Sequence, residues 1–592
     1  MTSNLPPGPP PQGPPPQGPP PQGPPPEMLD SSGGGRLPRE RRPRRTGLLV
    51  GGGVALVAVV GAGAFGAAWW FADGAQAAEA LPAGTIGYVG VNLDPSSGQK
   101  VEALETLEKF PAIREEFGLD GPVGDIDVKQ TLVDYLAEQT DCAQVTEAAD
   151  AFGDRAAFAA VDTGGEEPAP VFTIEVADAD AAGRALDDLS ACTGSDPAEG
   201  GGGPAYVVSG DWMVLAETEE TAQAVVDQTE SDGSLADDAD FQRWTDETGG
   251  DGVVTLYAAP EAGEYLAEAF GPGLEGSSDL LAPAVPEMSV SAPAMPSALS
   301  GAGRASGDGV VGASAGLPSA ETPAEALEDF AGAALTLRFD DGALEIEAAG
   351  EAAVFGGSDL LVTDRGADVV EELPADTVAA VGAGFEEGWF AAVLEQLETA
   401  SEGLIDAEGL EELAGETGLT LPDDVETVVG DAAAVSLGSG FDVEELTGSA
   451  DPADLPVALT VRGDEDDVQG VLDRLAEGPL GSEVGTVGVA GGDGLTAIGL
   501  DEDYLADVVA DGEGLGDSET YQRVVPDSDE AGSVVFVDLD QVSSIAGDSL
   551  LPLLGDDAPA VEDNLDPLRA LGLSSWVDDD VAHLVLRVST DD

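Results

Sequence analysis

Few side chains in this 592-residue sequence are of a kind that does covalent or acid–base chemistry. Gly312-Ala313-Ser314-Ala315-Gly316 has the G-x-S-x-G spelling of a nucleophile elbow, a strand-to-helix turn that exposes a serine beside a histidine base. Here it lies in a stretch without periodicity, and it is read as an accident of composition. His583 is the only histidine, which excludes His-rich zinc sites and the H-E-x-x-H motif. It is expected to be a surface or packed residue of the final strand. The acidic clusters Asp464-Glu465-Asp466-Asp467 and Asp578-Asp579-Asp580 lack the D-x-[DN]-x-[DN]-G loop and distal glutamate of a calcium site. Paired carboxylates for glycoside hydrolysis need a geometry that no spacing in the chain selects. No catalytic residue, metal ligand or cofactor is therefore assigned, and the chain is expected not to be an enzyme.

The polar positions that stand out do so because they occur twice. Leu81-Pro82-Ala83-Gly84-Thr85 returns as Leu373-Pro374-Ala375-Asp376-Thr377, and LADDADFQR at Leu235–Arg243 returns as LGDSETYQR at Leu515–Arg523. Asp134–Phe158 aligns without a gap to Glu411–Val435, and LDDL at Leu186–Leu189 returns as LDRL at Leu472–Leu475. Four echoes in one order indicate an internal duplication. They pair Asp154 with Asp431, Gln242 with Gln522 and Arg243 with Arg523. An arginine placed twice in so acidic a chain implies a specific partner, which is a carboxylate, a helix end or a ligand. Cys142 and Cys192 fall opposite Leu419 and Gly478, so a disulfide between them would belong to the first copy alone. It would close a loop of about 50 residues and add about 2–4 kcal/mol.

Each copy alternates short period-2 runs with amphipathic stretches. Strand candidates in the first are 86–91, 156–161, 171–176, 206–208, 213–216 and 253–257, with helix candidates at 100–109, 179–189 and 219–227. Leu335–Phe339 and Leu344–Ala348 around Asp340-Asp341-Gly342 read as a hairpin. Hairpins mixed with helices favour an α+β arrangement. The fold class expected is thus α+β: one N-terminal transmembrane helix, then two tandem copies of a mixed antiparallel-sheet-plus-helix domain. Copy one is assigned to 81–350, with a disordered insertion at 271–323, and copy two to 373–592.

The transmembrane assignment rests on residues 47–72, an uncharged apolar run preceded by Arg36, Arg39, Arg41, Arg42, Arg44 and Arg45. At 1.5 Å per residue it covers about 39 Å, enough for a ~30 Å hydrocarbon core. The arginines predict a cytoplasmic N-terminus, and Trp69, Trp70 and Phe71 an interfacial belt at the far end. Residues 1–46 form a disordered tail whose Gly-Pro-Pro-Pro-Gln repeat is expected to be polyproline II, with a cytoplasmic aromatic-groove domain as one partner it fits. After residue 72 the chain carries 15 Lys and Arg against 113 Asp and Glu, a charge that repels nucleic acid. So acidic a surface suits high salt, where the Debye length falls to ~3 Å at 1 M.

Asn92-Leu93-Asp94-Pro95-Ser96-Ser97-Gly98-Gln99-Lys100, followed by Lys109-Phe110-Pro111, resembles a family of actinobacterial membrane-anchored proteins. These carry the domain of unknown function numbered 3352, and the Leu81–Thr85 start is similar to theirs. The resemblance implies an envelope location and no known chemistry. The function expected is a single-pass cell-envelope protein whose extracytoplasmic part binds or scaffolds an unknown envelope partner. The alternatives are a carboxylate-dependent envelope hydrolase and a transmembrane sensor signalling through the Pro-rich tail.

Overall fold

The computed structural model describes residues 76–92, 97–111, 114, 129–130, 142, 149–165, 167–193, 205–250, 252–267, 330–352, 365–386, 388–400, 414–415, 418–440, 455–478, 487–492, 494–510, 512–550, 563–578 and 580–591. All of them belong to one compact unit, Leu49–Asp592. The tail 1–46, the apolar run 47–72 and the insertion 271–323 with its Ser314 lie outside the described residues.

Among the described residues sixteen strands form a single sheet, and every neighbouring pair is antiparallel. The first half comprises β1 (Thr85–Asn92), β2 (Phe152–Val161), β3 (Ala169–Val176), β4 (Ala205–Ser209), β5 (Trp212–Ala216), β6 (Val254–Ala258), β7 (Ala333–Asp340) and β8 (Ala343–Glu351). The second comprises β9 (Ala379–Gly384), β10 (Ala432–Leu437), β11 (Val457–Arg462), β12 (Gly488–Gly492), β13 (Leu495–Gly499), β14 (Ser533–Asp538), β15 (Leu568–Asp578) and β16 (Val581–Thr590). From the outer edges inward the orders are β4-β5-β3-β2-β1-β6-β7-β8 and β12-β13-β11-β10-β9-β14-β15-β16, the same order twice, and the halves meet at β8 and β16.

Helices cover this sheet where its apolar side chains need them. Helices α1 (Ser97–Glu108), α2 (Ala179–Thr193), α3 (Glu219–Asp232) and α4 (Ala239–Glu247) belong to the first half. Helices α5 (Glu465–Glu477), α6 (Glu502–Val508), α7 (Glu519–Val524) and α8 (Leu539–Leu550) belong to the second. On one face α3 and α4 bury Val225, Phe241 and Trp244 against the first half, and α6 and α7 bury Leu505, Tyr521 and Val524 against the second. Phe241 meets Tyr88 and Tyr257 edge-on at 5.5 and 5.1 Å, and Trp244 Nε1 donates to the Ala331 carbonyl at 3.0 Å. On the opposite face α2 and α5 cover the outer strands, while α1 packs on β7 and Lys109, just beyond it, donates to Thr590 Oγ1 on β16 at 3.0 Å.

Part of the acidity is used at helix starts. Asp238, Asp464 and Asp501 accept N–H bonds as caps of α4, α5 and α6, and Thr218 and Ser518 do the same for α3 and α7. Glu219, Glu465 and Glu502 then lie in first turns, where carboxylates favour the helix dipole.

These findings correct the expected architecture. The two copies do not form separate sheets: their last strands share one ladder, because each is a long edge whose backbone N–H and C=O groups need partners. Among the described residues no helix is long and apolar enough to cross a membrane. The longest, Ala179–Thr193, has 15 residues and reaches about 22 Å, short of a ~30 Å core. This contradicts the expected transmembrane helix, and with it the membrane as an integral partner, the single-pass topology with a cytoplasmic N-terminus, and the extracytoplasmic envelope location.

Candidate functional site

The strand register shows how the two halves are related. Asp340 opposite Ala343 closes the β7–β8 hairpin, and Asp578 opposite Val581 closes β15–β16. Ala343 therefore corresponds to Val581, Glu347 to Val585 and Glu351 to Ser589. Across the seam Glu351 pairs with Val581, Glu347 with Val585 and Ala343 with Ser589. Glu347 thus faces its own counterpart, and a local two-fold axis passes between those two residues.

The helix-covered side of this seam is polar. Arg338 donates from Nε to Glu345, from Nη2 to Glu347, and from Nη1 to the Thr248 carbonyl at 2.8 Å. Thr248 caps the C-terminus of α4, where a cation is favoured. Arg587, whose side chain is 5% exposed, donates through Nη2 to Asp340 Oδ2 at 2.9 Å and to the Asp340 carbonyl at 3.1 Å. Its Nε lies 2.9 Å from Glu345 Oε2, close enough for ion pairing but not aligned for a hydrogen bond. Burial pushes the Arg338 guanidinium toward neutrality, but Glu345 and Glu347 outweigh it and hold the proton more firmly than usual. Burial raises the Glu347 carboxyl above the ordinary range; Arg338 opposes this, and Glu345 and Asp527 add to it.

The symmetry-related half of the seam has different chemistry. Trp576 stands where Arg338 does, His583 where Glu345 does, and Ala349 where Arg587 does. His583 stacks on Trp576 with centroids 5.0 Å apart and planes 5° from parallel. Its Nε2 lies 3.8 Å from Glu247 Oε2, and its Nδ1 has no partner.

The opposite side of the same strands is apolar. One line of directly opposed residues runs from Phe172 through Phe158, Val89 and Leu256 to Leu335. It continues over Ala348 to Leu584 beyond the seam. Its symmetry image runs from Leu459 through Val435, Val381 and Val535 to Leu573. That line continues over Leu586 to Ile346. At ~4.8 Å per strand, each line spans about 29 Å over seven strands. Phe172 (38%), Val381 (53%), Val435 (51%) and Leu584 (36%) are the members exposed to solvent.

No family model, curated protein or solved structure matches this chain. Its site is therefore read from its own geometry. The duplicated polar residues do not converge. Gln242 Nε2 donates to the Ala236 carbonyl at 2.8 Å and Gln522 Nε2 to the Gly516 carbonyl at 2.7 Å, so each closes the turn before its helix. Arg243 lies over the Trp244 ring at 4.3 Å, and Arg523 sits in the last turn of α7. Asp154 pairs with Lys129 at 3.2 Å and Asp431 with Arg365 at 3.0 Å, nine strands apart in the sheet order. Cys142 is buried, disulfide-bonded, and its Sγ lies 3.7 Å from the Asp188 carbonyl oxygen. The other cysteine, Cys192, is in α2.

A cavity of about 250 Å³ gathers Glu372, Asp376, Asp507 and Glu513, with Glu372 already held by Arg462. Among the described residues no three His, Cys, Asp or Glu side chains stand ready to hold a metal. Sequence reasoning missed Arg338, Glu345, Glu347 and Arg587. The available signal was a pair of arginines inside alternating apolar strands, LTLRFD and HLVLRVS, in a chain with 15 basic residues after position 72.

Proposed function

We propose that this chain is a non-enzymatic binding or scaffolding protein whose two fused copies present one apolar sheet face to a partner. The observation that carries this reading is the pair of symmetry-related apolar lines, continuous over the seam and exposed at Phe172, Val381, Val435 and Leu584. The duplicated glutamines support it, since both are engaged in local backbone contacts rather than gathered in a cleft. A net charge of −95 repels acidic partners, so the surface that docks here is apolar and set among neutral or basic groups.

Val381 and Val435 are direct cross-strand neighbours and provide the test. The neutral dye Nile red should fluoresce on the folded protein, and Val381→Asp with Val435→Asp should remove most of that signal at unchanged far-UV circular dichroism. Equal dye binding by the double variant would sink the reading.

A further inference from the structure

The single histidine of the chain lies at the strand pair that joins its two halves. His583 is 8% exposed and faces Ala349 across the seam, with Trp576 stacked on its other side. Its two nitrogens are poorly provided for. Nδ1 has no partner, and 3.8 Å from Nε2 to Glu247 exceeds a hydrogen bond. A neutral imidazole tolerates this arrangement, whereas an imidazolium carries two donors that need acceptors or water. The other half of the seam is fixed differently, by arginines that stay charged at all relevant pH.

We propose that the seam is a proton-operated latch: protonation of His583 loosens the β8–β16 pairing near Val581 while the end near Arg587 stays closed. The charged groups around the imidazole come from every neighbouring element. Glu247 lies on α4 of the first half, Glu530 on the Ser528–Glu530 turn of the second, and Asp578 at the end of β15. Glu347 and Glu351 share its face on β8, and α7, which packs on β16, carries Glu519 and Arg523. Burial lowers the affinity of His583 for a proton below that of a free imidazole, and Glu247, Asp578 and Glu530 only partly restore it.

A base depressed in the folded state leaves the seam at full stability above its unfolded value of 6.5. Stability then falls as pH drops from 6.5 toward the folded value, and opening rises by up to about tenfold per pH unit in that window. The loosened end frees the imidazolium to reach Glu247 and Glu530, which belong to different copies.

With one histidine, the imidazole Cε1–H resonance of the full chain is a single titrating signal. Its midpoint should lie below 6.5. Hydrogen exchange, corrected for the intrinsic pH dependence, should show Val581–His583 and Ala349–Glu351 opening several-fold more at pH about 5.5 than at about 7.5, with Arg587–Ser589 unchanged. His583→Phe keeps the stack and should abolish the difference. Glu247→Gln removes an upward influence and should move the midpoint lower still, a result independent of whether the phenylalanine variant folds. An exchange pattern that is the same at both pH values, an equal acid response in His583→Phe, or an unmoved midpoint in Glu247→Gln would each overturn the latch.

Discussion

Replacing Arg587 by methionine keeps most of the buried stem and removes the charge from one end of the seam. Three contacts are lost, and they are not equivalent. Asp340 is 67% exposed and rehydrates when Arg587 leaves, so its share is at most about 0.5 kcal/mol. Glu345 is 10% exposed and stays buried beside Glu347, now with Arg338 as the shared counter-ion for two carboxylates. Breaking a buried pair costs about 3–5 kcal/mol when the partner is left alone. With Arg338 still in place, about 2–3 kcal/mol is expected, or a 30- to 150-fold rise in seam opening. Exchange of the β8 and β16 amides at neutral pH measures it, and double-mutant cycles apportion it. Coupling of Arg587 to Glu345, using Glu345→Gln, should exceed 1.5 kcal/mol, about threefold or more the coupling to Asp340. A cost below about 1 kcal/mol, or a larger coupling to Asp340, would refute the claim that the buried contact holds the seam.

Two further outcomes follow from the same structure. Because Glu347 is held above its usual value of 4.5, its ionisation costs stability as pH rises through the folded value; the change in Tm caused by Glu347→Gln should therefore be more favourable at pH 7 than below pH 4, and the reverse order would contradict this. Cys142→Ser should cost about 4 kcal/mol if the bond closes the loop of about 50 residues to Cys192, and an unchanged denaturation midpoint would show that the bridge contributes nothing.

What could be read without coordinates was local. The alternation over Leu335–Phe339 and Leu344–Ala348, with Asp341 and Gly342 at positive φ between them, is a hairpin that period and turn chemistry suffice to specify. The repeated LPAGT and QR segments likewise fold alike: Pro82 bridges Ser234, and Pro374 bridges Gly514. Long-range partners were not legible. Edge and central strands share the same alternation, so nothing in β8 or β16 states that they pair. Arg338 and Glu345 are seven residues apart, but Arg587 reaches Asp340 across 247, and no local rule connects them. The duplicated Arg243 and Arg523 drew attention through their scarcity, yet scarcity does not distinguish an arginine over a tryptophan from one that binds a ligand.

The two-fold axis at Glu347 and Val585 also bears on how such a chain could arise. A single copy pairing with itself through this strand would set glutamate against glutamate, or valine against valine, on the axis. An isologous contact of that kind obliges every substitution to appear twice. Joining the copies in one polypeptide removes that obligation. One end of the seam is then free to become an arginine–carboxylate clasp and the other an imidazole–indole stack. The asymmetry at the centre of this sheet is therefore a property of the single fused chain, inaccessible to a homodimer of either half.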